Sequence, residues 1–133
     1  MGYRSNLMVL IYPDACSSEE EQSAKYEQLK LLMGTTFKDV FEEFDECLTW
    51  VDADHVLKFA FEDVKWYPSY GDVKMFEDML STFKGSGDDA EDIKGYCTEF
   101  VRIGEDTEDV EQVHTGDNNH YYLQVRRTIE CNV

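Results

Sequence analysis

The spacing of apolar and polar residues changes several times along this chain, and each change predicts an element. Tyr3 to Tyr12, with an unbroken apolar run from Leu7, stops at Pro13, which cannot donate to a ladder, so a strand is expected there. Ser17-Ser18-Glu19-Glu20-Glu21 then has the form of a helix start. A serine can cap the end, and carboxylates in the first turn meet the positive end of the helix dipole. Either Ser17 with Glu20 or Ser18 with Glu21 has capping-box spacing. Tyr26, Leu29, Leu32 and Met33 follow at helical intervals, with Gly34 placed to end the helix. A second short helix is expected from Thr36, with Phe37, Val40, Phe41 and Phe44 on one face and Glu42, Glu43, Asp45 and Glu46 on the other.

From Cys47 the period drops to two. Between His55 and Val64, Leu57, Phe59 and Phe61 alternate with Lys58 and Glu62, the pattern of a half-buried strand. Leu48 to Val51 is its expected partner across the turn Asp52-Ala53-Asp54. Tyr67 to Asp72 is loop, and Ser69 or Asp72 can cap a helix bearing Val73, Phe76, Met79, Leu80 and Phe83 and ending near Gly85-Ser86-Gly87. The last third is strand material: Tyr96 to Ile103, Asp109 to His114, a turn at Thr115 to Asn119, then His120 to Cys131 with Tyr121, Leu123, Val125 and Ile129 to one side. Short connections predict that these strands form an antiparallel meander. The fold class is therefore α+β, an antiparallel β-sheet with two or three helices packed on one face. At 133 residues the chain makes one domain, 1–133.

Composition adds one strong fact. Twenty-nine acidic residues face 12 basic ones, a formal charge of −17, while 42% hydrophobic and 14% aromatic residues are enough to build a core. Folded domains remain soluble at net charges of about 2–8, so the surplus points to a partner, with plain solubility and stability as the other reading. Ten carboxylates lie between Asp88 and Glu111, against Lys94 and Arg102 only. Direct nucleic-acid binding is not expected of such a surface, since phosphate repels it. No run approaches the length of about 18 apolar residues that a membrane helix needs. The opening residues read as strand rather than as a secretory signal, and Asn6 stands where a myristoylation pattern needs Ser or Thr.

Motifs for chemistry are sparse. Cys16, Cys47, Cys97 and Cys131 are spread singly, with no CxxC pair, and read as reduced thiols of a cytoplasmic protein. Asp52-Ala53-Asp54-His55-Val56-Leu57 opens like a calcium loop but lacks the glycine and polar ligand that such a loop requires. No metal or other cofactor is expected. There is no GxSxG, GxGxxG, P-loop or HExxH, and His55, His114 and His120 have no nucleophile beside them, so no enzyme is expected. His114 and His120 flank a turn as a solvated pair. Trp66, Tyr67 and Tyr70 either seal the sheet end or supply exposed anchors to a partner. Tyr121 and Tyr122 must point to opposite faces of a strand, and Arg127, like Arg4, is a candidate for an edge or buried ion pair.

Three stretches resemble a group of small acidic proteins encoded by bacteriophages. They are Met1-Gly2-Tyr3-Arg4-Ser5, Val64-Lys65-Trp66-Tyr67 with Tyr70 and Asp72-Val73, and Phe100-x-Arg102-Ile103-Gly104-Glu105-Asp106. The resemblance implies an accessory protein made in an infected bacterial cell, of a kind that blocks host defences or nucleic-acid machinery, anti-CRISPR and anti-restriction proteins among them. It carries no catalytic residue. Together with the charge it leads to the expectation of an inhibitor acting as a nucleic-acid mimic on a basic surface. The expected contact residues are Asp88, Asp89, Glu91, Asp92, Glu105, Asp106, Glu108, Asp109 and Glu111, with Trp66, Tyr67 and Tyr70 as apolar anchors. The partner would be a host nucleic-acid-binding protein or defence complex, and the chain a monomer or small homo-oligomer. Two alternatives are a small structural or assembly protein, and a binder that sequesters a nucleotide-like defence signal.

Overall fold

A computed structural model describes residues 4–14, 18–67, 69–83, 95–105, 109–115, 123–125 and 129–131. Five strands form one antiparallel sheet in the order β2-β3-β1-β4-β5: β1 (Ser5–Pro13), β2 (Leu48–Val51), β3 (Val56–Val64), β4 (Tyr96–Gly104) and β5 (Val110–Thr115). Three helices, α1 (Glu19–Gly34), α2 (Lys38–Phe44) and α3 (Gly71–Thr82), pack on one face, as the residue pattern predicts. Among the described residues no helix is long and apolar enough to cross a membrane.

β1 lies at the centre because it is apolar on both faces. Leu7, Val9 and Ile11 join Leu57, Phe59, Phe61 and Phe100 under the helices, where Leu29 and Met33 of α1, Val40 and Phe44 of α2, and Phe76 and Met79 of α3 cover them. Leu10 and Tyr12 point the other way, into a second cluster with Val56, Cys97, Val101 and Leu123. That second cluster corrects the expected meander. β4 and β5 do form a hairpin, but β6 (Leu123–Val125) and β7 (Ile129–Cys131) pair with each other and not with β5. Leu123 and Cys131 instead bring this small hairpin onto the face the helices leave open. Residues Tyr96 to Val101 are therefore buried without alternation, since both faces of β4 are covered.

Local chemistry adjusts the expected boundaries. Ser18 is the cap of α1, its Oγ accepting from the Glu21 backbone N–H at 3.3 Å, while Ser17 lies outside the described residues. Gly34 sits inside the last turn, and Thr35 closes the helix by donating its hydroxyl to the Leu31 carbonyl at 2.7 Å. Tyr70, not Ser69, occupies the N-cap position of α3 and makes no side-chain capping bond, and Asp72 accepts from the Val73 N–H at 2.9 Å from within the first turn. A bulge where Asn6 faces Glu62 and Asp63 puts Asp63 at φ 52°, held by its N–H donating to Asn6 Oδ1 at 2.8 Å.

Candidate functional site: an acidic helical layer

Among the described residues, the outer surface of the three helices carries the largest group of exposed carboxylates. Glu19, Glu20, Glu21 and Glu27 on α1, Asp39, Glu42 and Glu43 on α2, Asp45 and Glu46 on the following 3-10 turn, and Asp72 and Asp78 on α3 are all exposed. Lys25, Lys30, Lys38 and Lys74 are the cations of the same elements. Lys30 pairs with Glu27 at 3.6 Å and Lys38 with Glu42 at 3.8 Å. Asp39, Glu43, Asp45, Glu46, Asp72 and Asp78 form no ion pair among the described residues. No helix has a basic residue in its last turn, so the negative ends of the helix dipoles add to the field. On α3 this follows from ordinary amphipathicity, the sheet claiming the apolar stripe and leaving the acidic one outside. By contrast, α1 is polar all round its first two turns apart from Ala24, and buries only Tyr26, Leu29 and Met33.

The expected cluster from Glu105 to Glu111 behaves differently. Arg102, on β4, grips Asp109 with two hydrogen bonds of 2.8 and 3.2 Å, reaches Ser5 Oγ at 3.2 Å, and lies 4.0 Å from Glu111. Glu105 is exposed and accepts from the Arg4 backbone N–H at 3.2 Å. Arg4 also pairs with Asp63 at 3.6 Å, an exposed contact of small energetic weight. Arg102 thus makes a partly buried ion pair on this hairpin, neutralising Asp109. Asp88, Asp89, Glu91, Asp92, Asp106, Glu108, His120, Tyr121, Tyr122 and Arg127 lie outside the described residues.

The aromatic anchors also separate. Trp66 is only 9% exposed, packed between Phe61 and Phe76 with ring centroids at 5.3 and 5.5 Å, and its Nε1 donates to Glu77 at 3.2 Å. This corrects its expected use as an exposed anchor, because the core has claimed the ring. Tyr67 is half-buried and Tyr70 is 43% exposed, the two rings edge to face at 5.2 Å.

A polar cluster that the residue pattern did not reveal ties α1 to the β2–β3 turn. Tyr26 donates to Asp52 Oδ1 at 2.6 Å, and Lys30 lies 3.5 Å from the same oxygen and 4.6 Å from the Tyr26 ring centroid. Trp50 and His55 flank the tyrosine, their ring centroids 5.7 and 5.3 Å away. The hydrogen bond from Tyr26, then Lys30, hold the Asp52 carboxyl below its usual range. Burial and then the Asp52 carboxylate push the Tyr26 hydroxyl well above its usual range, so it is a fixed donor and not a base. Spacing alone pairs Tyr26 with Leu29 and Met33 as core, and only the turn's position shows its hydroxyl partner. Cys47, Cys97 and Cys131 are thiols, and burial, then Glu46 and Asp45, raise the Cys47 thiol's pKa, away from reactivity.

No protein-family profile, curated protein or solved structure matches the chain.

Proposed function

We propose that this protein is a non-enzymatic inhibitor, encoded by a bacteriophage and acting in the host cytoplasm, that binds a basic nucleic-acid-binding surface of a host defence or nucleic-acid-handling complex. One observation carries the reading: exposed carboxylates without an ion pair among the described residues lie together on the outer face of three packed helices, in a chain of formal charge −17. Carboxylates fixed on packed elements present charge as a phosphate backbone does, and they steer a basic partner by long-range attraction. The layer adds to the contact residues expected on the β4–β5 hairpin, where Arg102 pairs with Asp109 and lies 4.0 Å from Glu111.

Affinity purification from the bacterial host tests this reading. The expected result is recovery of a nucleic-acid-binding protein that added DNA or RNA displaces, with affinity falling steeply as salt is raised. A recovered partner without a nucleic-acid groove, or binding that ignores salt, overturns it.

One feature favours assembly as a second reading. β5 is an edge strand and exposes Val110 and Val113, at 40% and 49%, on its two faces. Light scattering at micromolar concentration separates the two, since an assembly protein sediments and scatters as an oligomer without any partner.

A further inference from the structure

The helical layer is not uniform. α2 and α3 run antiparallel, with Phe37 against Phe83 at 5.5 Å at one end and Phe44 against Phe76 at 5.3 Å at the other. Between these contacts the surface dips into an open groove of about 220 Å³. Its floor is apolar, with Phe37, Val40 and Met79 buried and Met75 half-buried above them, and the exposed carboxylates of Asp39 and Asp78 border it, one from each helix. Neither carboxylate has an ion-pair partner among the described residues. Thr82, the last residue of α3, also lines the groove, so the carbonyl end of that helix adds negative partial charge.

These features select the occupant. An apolar lining gives a small hydrated cation nothing to coordinate, and the carboxylates repel an anion. A second copy of the chain, itself at −17, is repelled as well. The groove falls below the size of about 300–1,000 Å³ usual for small-molecule sites. What suits both lining and border is a long side chain with an apolar stem and a cationic head, and methionine surfaces adapt readily to such stems. We propose that the α2–α3 groove docks Lys or Arg side chains of a basic protein segment, the alkyl stems lying on Met75 above the buried Met79 and the charged heads reaching Asp39 and Asp78. This rests on the helical layer being the partner-binding surface, and it names the part of that layer that makes the specific contact.

The test uses the full chain and an amphipathic helical peptide of leucine and arginine, with affinity measured by fluorescence anisotropy at low salt. Asp39→Lys with Asp78→Lys is compared with Asp54→Lys and Glu62→Lys, which alter the net charge equally at exposed sites in the β2–β3 turn and on β3, outside the helical layer. The groove pair is expected to weaken binding about tenfold or more, and the control pair by about threefold at most. Methyl resonances of Met75 and Met79 in the unaltered protein should shift on titration with the peptide. Should the lysine variant fail to fold, Asp39→Asn with Asp78→Asn and the methyl shifts answer the same question. Equal losses from both pairs, or unmoved methionine signals, overturn the groove while leaving a diffuse acidic surface in place. Absence of any salt-sensitive binding by the unaltered protein overturns the groove and the functional reading together.

Discussion

Tyr12 on β1 donates a 2.6 Å hydrogen bond to Glu99 on β4, inside the sheet face that the helices do not touch. Glu99 is fully buried, and its other oxygen accepts from the Leu123 N–H of β6 at 3.0 Å. One carboxylate thus joins the centre of the sheet to the small hairpin that closes its second face. Leu10 and His114 flank it in register on the neighbouring strands.

Removing either side of this link should cost stability in a defined order. Tyr12→Phe deletes one donor and is expected to destabilise by about 1–3 kcal/mol. Glu99→Leu removes the acceptor shared by the Tyr12 hydroxyl and the Leu123 N–H, so its cost should be larger. Urea denaturation of the two variants checks the order, and a smaller loss for Glu99→Leu contradicts it.

Asp52 predicts behaviour on the acid side. Its pKa is lowered in the folded protein, so its contribution is present above the unfolded value of about 3.9 and is lost as pH falls through the folded value. Tyr26→Phe removes the larger cause. In that variant the Asp52 carboxyl, followed by NMR, should titrate closer to about 3.9, and Lys30→Met should move it less.

Tyr96 sets the alkaline side. Burial pushes its hydroxyl up to about 12, and it donates to the Lys25 carbonyl at 2.7 Å. A raised folded pKa means the contribution is intact below the unfolded value of about 10 and is lost as pH climbs towards the folded one. Denaturation midpoints should therefore decline between about pH 10 and 12, and less steeply in Tyr96→Phe.

Trp66 and Tyr70 divide core from surface. Trp66→Ala should cost about 3–5 kcal/mol, as expected for an aromatic ring removed from a packed core. Tyr70→Ala, which loses an exposed ring contact with Tyr67, should cost about 1 kcal/mol or less. Thermal melts of both variants measure the difference, and near-equal losses would contradict the placement of Trp66.

Periodicity made the helix faces and most strands legible, because burial on one side leaves a pattern along the chain. Val40 with Phe44, Phe76 with Met79, and Phe59 with Phe61 all point where their spacing predicts. The acidic stripe of α2 is legible for the same reason. Trp66 is not, since the segment around it has no period and either use of the ring fits the residues.

Sequence alone determined the α+β class, the charge and the side of each helix that faces water, since these follow from composition and local spacing. Tertiary structure decided which acidic groups remain unpaired, because pairing depends on distance across the fold. Arg102 and Asp109 meet by the closing of a hairpin, whereas Asp39 and Asp78 come to border one groove only when α2 packs beside α3. It also decided that Leu123 covers the open sheet face through a buried carboxylate, a contact no local pattern encodes.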